Sequence, residues 1–167
     1  MKLTIKFFAI LTLLIAFSCG EKEKKEGTQD AVEETKQAEP VSTVKASERI
    51  DLTNKGVGPV KSLTLPAEVN QNLATQGKVI YNKMCTACHK PTKKYIGPAP
   101  IGILERRTPE WVMNMILNPE VMIVQDPLAK DLLMEFNGAP MANQNLTEDQ
   151  ARAVLEYFRT LKEENEG

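Results

Sequence analysis

One histidine, and the place where it stands, restricts this chain more than any other feature. His89 is the only imidazole in 167 residues, and it closes the run Cys85-Thr86-Ala87-Cys88-His89. A zinc site built from several histidines, a Ser-His-Asp centre with an imidazole to spare, and an iron held by two histidines of one chain are all excluded. Zinc would need four ligands, and only Cys85, Cys88 and His89 cluster. A thioredoxin-like redox pair would need a strand-to-helix context that the surrounding residues do not supply.

Cys-x-x-Cys-His is the attachment signature of covalent c-type haem. Two thiols three residues apart at a helix end face one side, and each can add to one vinyl group of the macrocycle. The next residue then offers its imidazole to the iron. A covalently held cofactor lets a small domain carry a haem that it could not otherwise enclose. The expected cofactor is therefore one haem c on Cys85 and Cys88, with His89 as a metal ligand.

The flanks read as helices. Leu73, Gly77, Ile80, Tyr81, Met84 and Cys88 recur at steps of three and four, one face of a helix running into the motif. Thr147 and Gln150 form a capping box, followed by an apolar stripe of Ala151, Val154, Leu155, Phe158 and Leu161. Thr108-Pro109-Glu110 opens a third helix that Asn118-Pro119 should end, and Asp126-Pro127 opens a fourth, from Leu128 to Phe136, with Gly138 near its stop.

With that motif and those helices, residues 70–162 resemble the class I cytochrome c family. The resemblance implies an all-α fold of about four helices around one covalently attached haem, the first and last helices crossing with a Gly and aromatics at the contact. It also implies a sixth iron ligand. No second histidine exists, so the candidate is a methionine: Met84, Met113, Met115, Met122, Met134 or Met141. Met84 adjoins the attachment motif. Met113, Met115 and Met134 sit within helical stretches, where Met usually fills a core. Met122 is read as a loop residue and is the rival. Met141, in the loop Gly138-Ala139-Pro140-Met141 before the last helix, matches the family's ligand position. Ile96-Gly97-Pro98 matches the family's Gly-Pro that packs against the proximal imidazole, with the Pro98 carbonyl accepting its Nδ1–H. One of Arg106, Arg107 and Trp111 is expected to hold a haem propionate.

The N-terminal part is of another kind. Lys2 and Lys6 precede an apolar run from Phe7 to Phe17 whose helix would rise about 16 Å, short of a hydrocarbon core of roughly 30 Å. The end, Ala16-Phe17-Ser18-Cys19-Gly20, resembles a bacterial lipoprotein signal, which implies lipidation at Cys19. The expected organisation is a signal segment at 1–18, a disordered charged tether at 19–55, an extended arm at 56–69, a haem domain at 70–163 and a tail at 164–167. Between Glu21 and Glu48 no apolar period persists, so that stretch cannot offset its ordering entropy.

A formal net charge of −1 gives no reason to expect a nucleic-acid partner. The leading expectation is a membrane-tethered, single-haem electron carrier facing the periplasm, not an enzyme, cycling Fe(III)/Fe(II) between redox proteins of a respiratory chain. The region from Gly56 to Met141 is also similar to cytochrome subunits that accompany bacterial reductases of the nitrous oxide type, which implies such a partner. The alternative is a haem enzyme or gas-binding protein with an open sixth site, although peroxidase chemistry would want a distal histidine and none is available. From Val69 to Leu104 there is no Asp or Glu, while Lys78, Lys83, Lys90, Lys93 and Lys94 all fall there, so a basic rim is expected around the attachment site.

Overall fold

In the computed structural model, residues 44–163 are described, with side chains as far as Leu161. The signal segment, Cys19, most of the tether and the tail lie outside the described residues. Five α-helices follow one another: α1 (Gln71–Met84), α2 (Pro109–Leu117), α3 (Pro119–Gln125), α4 (Pro127–Glu135) and α5 (Glu148–Glu163). Among the described residues there is no β-strand, only one parallel bridge between Asp51 and Arg107. No described helix is long and apolar enough to cross a membrane.

Helices α1 and α5 form the principal helix pair. Their close approach depends on Gly77, where an added Cβ would lie 1.9 Å from the Ala153 carbonyl oxygen. Tyr81, one turn on, packs its ring 5.2 Å from that of Tyr157 and edge-on to Phe158 at 5.8 Å. With Leu161 these close one end of the core. The capping box at α5 forms reciprocally: Thr147 N–H donates to Gln150 Oε1 (2.9 Å) and Gln150 N–H to Thr147 Oγ1 (3.3 Å). The start of α1 is tied to α5 as well, because Asn70 N–H donates to Glu156, a fully buried carboxylate that Arg152 and Arg159 neutralise.

Sequence reasoning gave about four helices, and the fifth is α3. Asn118-Pro119 does stop α2, but Pro119 is also the first residue of a new helix, where its fixed φ and missing N–H cost nothing. Met122 is therefore helical, not in a loop, and is completely buried.

The arm departs further from expectation. Residues 44–55, read as the end of the tether, pack on the domain, and the arm continues from them to Pro66. Its backbone has little regular structure of its own, so its polar groups are met by side chains of the helices. Asn114 on α2 accepts from Val60 N–H (2.9 Å) and donates to the Lys55 and Val60 carbonyls (2.9 Å each). Glu110 accepts from Leu63 N–H at 3.0 Å, and Met122 Sδ from Val57 N–H at 3.0 Å. Gly56 and Gly58 allow this closeness, since a Cβ at either would fall within 2.8 Å of Met122 or Asn114. The lack of an apolar period predicts disorder as far as residue 55, yet the helices satisfy residues 46–55 by hydrogen bonds from distant side chains.

Candidate haem site

The Cys85–His89 run leaves the end of α1 as a tight turn. Cys85 caps the helix, its N–H donating to Tyr81, and its carbonyl accepts from both Cys88 N–H (3.1 Å) and His89 N–H (2.9 Å). Both thiols are free, Cys85 half-buried and Cys88 exposed. Burial pushes the Cys85 thiol up to about 11, with the Cys88 sulfur adding to the effect. Disulfide-exchanging Cys-x-x-Cys pairs show the reverse, a lowered thiol.

His89 is fixed on two sides. Its Nδ1 lies 2.8 Å from the Pro98 carbonyl oxygen, which can only accept, so Nδ1 carries the proton and the neutral ring keeps its lone pair on Nε2. Gly97 lies flat against the ring: a Cβ there would come within 2.4 Å of Cε1 and 2.8 Å of Nδ1. The turn holding both residues is pinned to the attachment motif by Gly97 N–H donating to the Cys88 carbonyl at 2.8 Å.

In front of the imidazole is an apolar cleft with two lobes. They leave about 790 and 660 Å³ unfilled by protein, open solvent at their mouths included. His89, Pro98, Ile103, Trp111, Met115 and Met141 line both lobes, Cys88 opens on the first and Cys85 on the second. A cleft of this kind, with one imidazole lone pair and a thiol to each lobe, suits a flat iron macrocycle attached through two thioethers.

The described methionines separate clearly. Met141 reaches the cleft from the exposed loop after α4, and Met115 from the middle of α2. Sequence reasoning set Met115 aside as core filler, and nothing in its helical spacing signalled a place on the cleft. Met122 does not line either lobe, and its sulfur accepts from Val57.

The expected propionate donors are already partly engaged. Trp111 Nε1–H donates to Asp126 Oδ1 at 3.1 Å, so this residue offers the cleft a ring face and no free donor. Arg107 is buried, and its terminal nitrogens donate to the carbonyls of Ala46, Arg49 and Arg106. Burial, with Arg106 close by, lowers its guanidinium pKa. Arg106 donates to the Gly102 and Ile101 carbonyls at 3.1 and 3.3 Å. Both arginines line the first lobe, and each keeps a buried Nε–H with no partner. Those donors, the apolar lining and the His89 lone pair fit a haem whose macrocycle is apolar and whose carboxylates are anionic.

Two free thiols, one oriented imidazole and an apolar cleft define a haem-bearing protein. The chain belongs to the cytochrome c family, whose model, described as cytochrome c, matches residues 74–162, and its cofactor is a covalently attached haem c. Cytochrome c from Rhodothermus marinus is 40% identical with a TM-score of 0.62, the match covering 72% of this chain and 97% of that one. That share exceeds the span of the family model, so the likeness extends beyond it. An engineered form of the same protein, Rma TDE, is 39% identical at a TM-score of 0.61, covering 71% and 96%. The engineered form bound to a carbene intermediate is 40% identical at 0.59, with the same coverage. No curated protein sequence matches.

Proposed function

We propose that this protein is a lipid-anchored, single-haem electron carrier whose iron is held between His89 and Met141. The haem, when bound, supplies a one-electron Fe(III)/Fe(II) couple, and the chain supplies its ligands, its dielectric and its access. His89 gives the Nε2 lone pair, while Pro98 and Gly97 hold the ring's tautomer and orientation. Met141 brings a soft thioether, which favours the reduced ion and raises the potential. Arg106 and Arg107 offer their unpartnered Nε–H groups to the propionates. The apolar walls would limit water around the iron, and with His89 and Met141 as its ligands the metal would suit exchange of charge with a partner rather than binding of a substrate.

The observation that carries this reading is the sharing of one cleft by His89, from the attachment turn, and Met141, from a loop. Met141 stands in the loop before the last helix, the ligand position that the resemblance implies, whereas Met115 stands within α2. The test is the oxidised visible spectrum, with its weak methionine–iron band, and a carbon monoxide titration of the reduced protein. Met141→Ala should abolish the band and admit carbon monoxide. Met115→Ala and Met122→Ala should keep the band. Its persistence in Met141→Ala refutes the assignment.

The anchor is the other part of the proposal. Lipidated Cys19 would keep the domain at a bacterial membrane on its periplasmic side, near electron donors and acceptors such as a terminal reductase of the nitrous oxide type. Cys19→Ser should release haem-bearing protein into the soluble periplasmic fraction, and membrane retention of a cleaved Cys19→Ser product would place the anchor elsewhere.

A further inference from the structure

Helix α4 and its N-cap carry three carboxylates, and all three are bound to the arm. Glu135, at the C-terminal end, accepts from Ser47 N–H (2.8 Å) and from the Ser47 hydroxyl (2.6 Å). Asp131 pairs with Arg49 at 2.5 Å. Asp126, the N-cap, accepts from Asn54 Nδ2 at 2.7 Å. The arm thus runs antiparallel to α4 over the whole helix. Its other side is fixed to the start of α2: Arg107 donates to the Ala46 and Arg49 carbonyls, Asp51 N–H to the Arg106 carbonyl (2.9 Å), and Thr108 Oγ1 to the Asn54 carbonyl (2.6 Å). Residues 46–54 are a strip between α4 and the Arg106–Thr108 segment.

The loop bearing Met141 has few hydrogen bonds of its own, and it rests on the core through Phe136, Met141 and Leu146. Asn137 and Gly138 N–H groups bond back to the Met134 and Leu133 carbonyls, inside the last turn of α4. Residues Asn137 to Pro140 are exposed. Among the described residues, the one hydrogen bond from 136–146 to a different element is Asn143 Nδ2 to Glu120, at 3.3 Å. At its first end the loop follows the C-terminal turn of α4, and the arm ties that turn at Glu135. Ser47 itself lines the same lobe of the cleft as Met141.

From this geometry we propose that Ser47 and Arg49, acting through Glu135 and Asp131, are positioning residues for Met141 and set how readily the sixth iron site opens to an outside ligand. The inference rests on Met141 as the ligand. Without the Ser47 and Arg49 bonds, α4 keeps its packing on α3, but its C-terminal turn is freed, and the loop samples positions in which the methionine is away from the iron.

The test measures imidazole binding to the oxidised, full-length holoprotein by stopped flow, together with the methionine–iron band. Ser47→Ala combined with Arg49→Ala removes the hydroxyl bond to Glu135 and the ion pair with Asp131, leaves the residue 47 N–H bond in place, and should speed imidazole association about tenfold. Glu135→Gln should act in the same direction and serves if the double variant does not fold. Ser47→Thr keeps both donors and should behave as the wild type. Leu161→Ala, which weakens the far α1–α5 contact, should lower thermal stability without changing the rate. If Met141→Ala abolishes the band while the arm variants leave the rate unchanged, the positioning role is refuted. Equal acceleration by Leu161→Ala also refutes it, as general loosening would then explain the effect. Survival of the band in Met141→Ala removes the ligand assignment itself.

Discussion

Replacing Gly77 with alanine tests the crossing on which the haem-bearing end of α1 depends. The new Cβ would stand 1.9 Å from the Ala153 carbonyl oxygen, 2.4 Å from its carbon and 2.8 Å from the Val154 nitrogen. Ordinary contacts begin at about 3.5 Å, so the two helices must part by more than about 1 Å. The obstacle is backbone inside a helix, which no rotamer change relieves. That places the cost at the upper end of overpacking, about 3 kcal/mol. Alanine returns about 1 kcal/mol of helix propensity, leaving a net loss of about 2 kcal/mol. At roughly 4 °C per kcal/mol for a domain of this size, the midpoint should fall by about 8 °C. Thermal unfolding of the holoprotein by far-ultraviolet circular dichroism measures it. Gly138→Ala is the companion: no atom lies within 4 Å of its Cβ, yet φ is +72°, so only the left-handed backbone penalty of about 1 kcal/mol applies. A Gly77→Ala midpoint equal to or above that of the wild type would refute the argument.

Gly97→Ala should drive the His89 ring off its bond to the Pro98 carbonyl. Losing that bond weakens imidazole donation and should raise the potential by about 60 mV, the equivalent of a tenfold change for one electron, read by redox titration. Cys85→Ala with Cys88→Ala should leave no haem attached through denaturing electrophoresis. Burial alone would raise the Glu110 carboxyl, but its own and the Leu63 backbone N–H groups, with Lys55, hold it below its ordinary 4.5. Glu110 thus adds stability above pH 4.5 that is lost as pH falls through its folded value, and Glu110→Gln should flatten that acid limb in urea unfolding. Exposed Lys93 and Lys94 flank the attachment turn, so electron transfer to an acidic partner should slow with rising salt and slow again on Lys93→Glu with Lys94→Glu. A rate constant independent of salt would speak against the basic rim.

What could be read in the sequence was what is local or periodic. The Cys85–His89 run, the 3.6-residue stripes of α1 and α5, the capping box at Thr147 and the Thr108-Pro109 and Asp126-Pro127 helix starts each carry their signal within a few residues. Gly77 and Tyr81 could be paired with the last helix because one small and one large residue, four apart, suggest a close crossing. Asn118-Pro119 was ambiguous, since the same Pro that ends one helix can begin the next. An extended arm was legible at 56–69, but its continuation back into residues 44–55 had no local signal. Asn114, Glu110 and Met122 meet backbone groups 47 to 65 residues away, and the Glu135–Ser47 bonds span 88. Trp111 was a plausible propionate donor until Asp126, 15 residues on, was seen to take its N–H.

The arm also changes where this protein begins as a folding unit. The family's sequence pattern starts at residue 74, and a recombinant version trimmed to that border would keep every residue that touches the cleft from α1 onward. It would also take the arm's partners from Glu110 and Asn114, which are 6% and 0% exposed, while Asp126 keeps the Trp111 and Ala129 N–H groups. The four hydrogen bonds that these two side chains make to the arm would be exchanged for bonds to water, at about 1 kcal/mol each, a loss of about 4 kcal/mol. A domain's whole margin is about 5–15 kcal/mol. The shortest version of this chain that matures and survives purification should start near residue 44, thirty residues ahead of the border that sequence comparison draws.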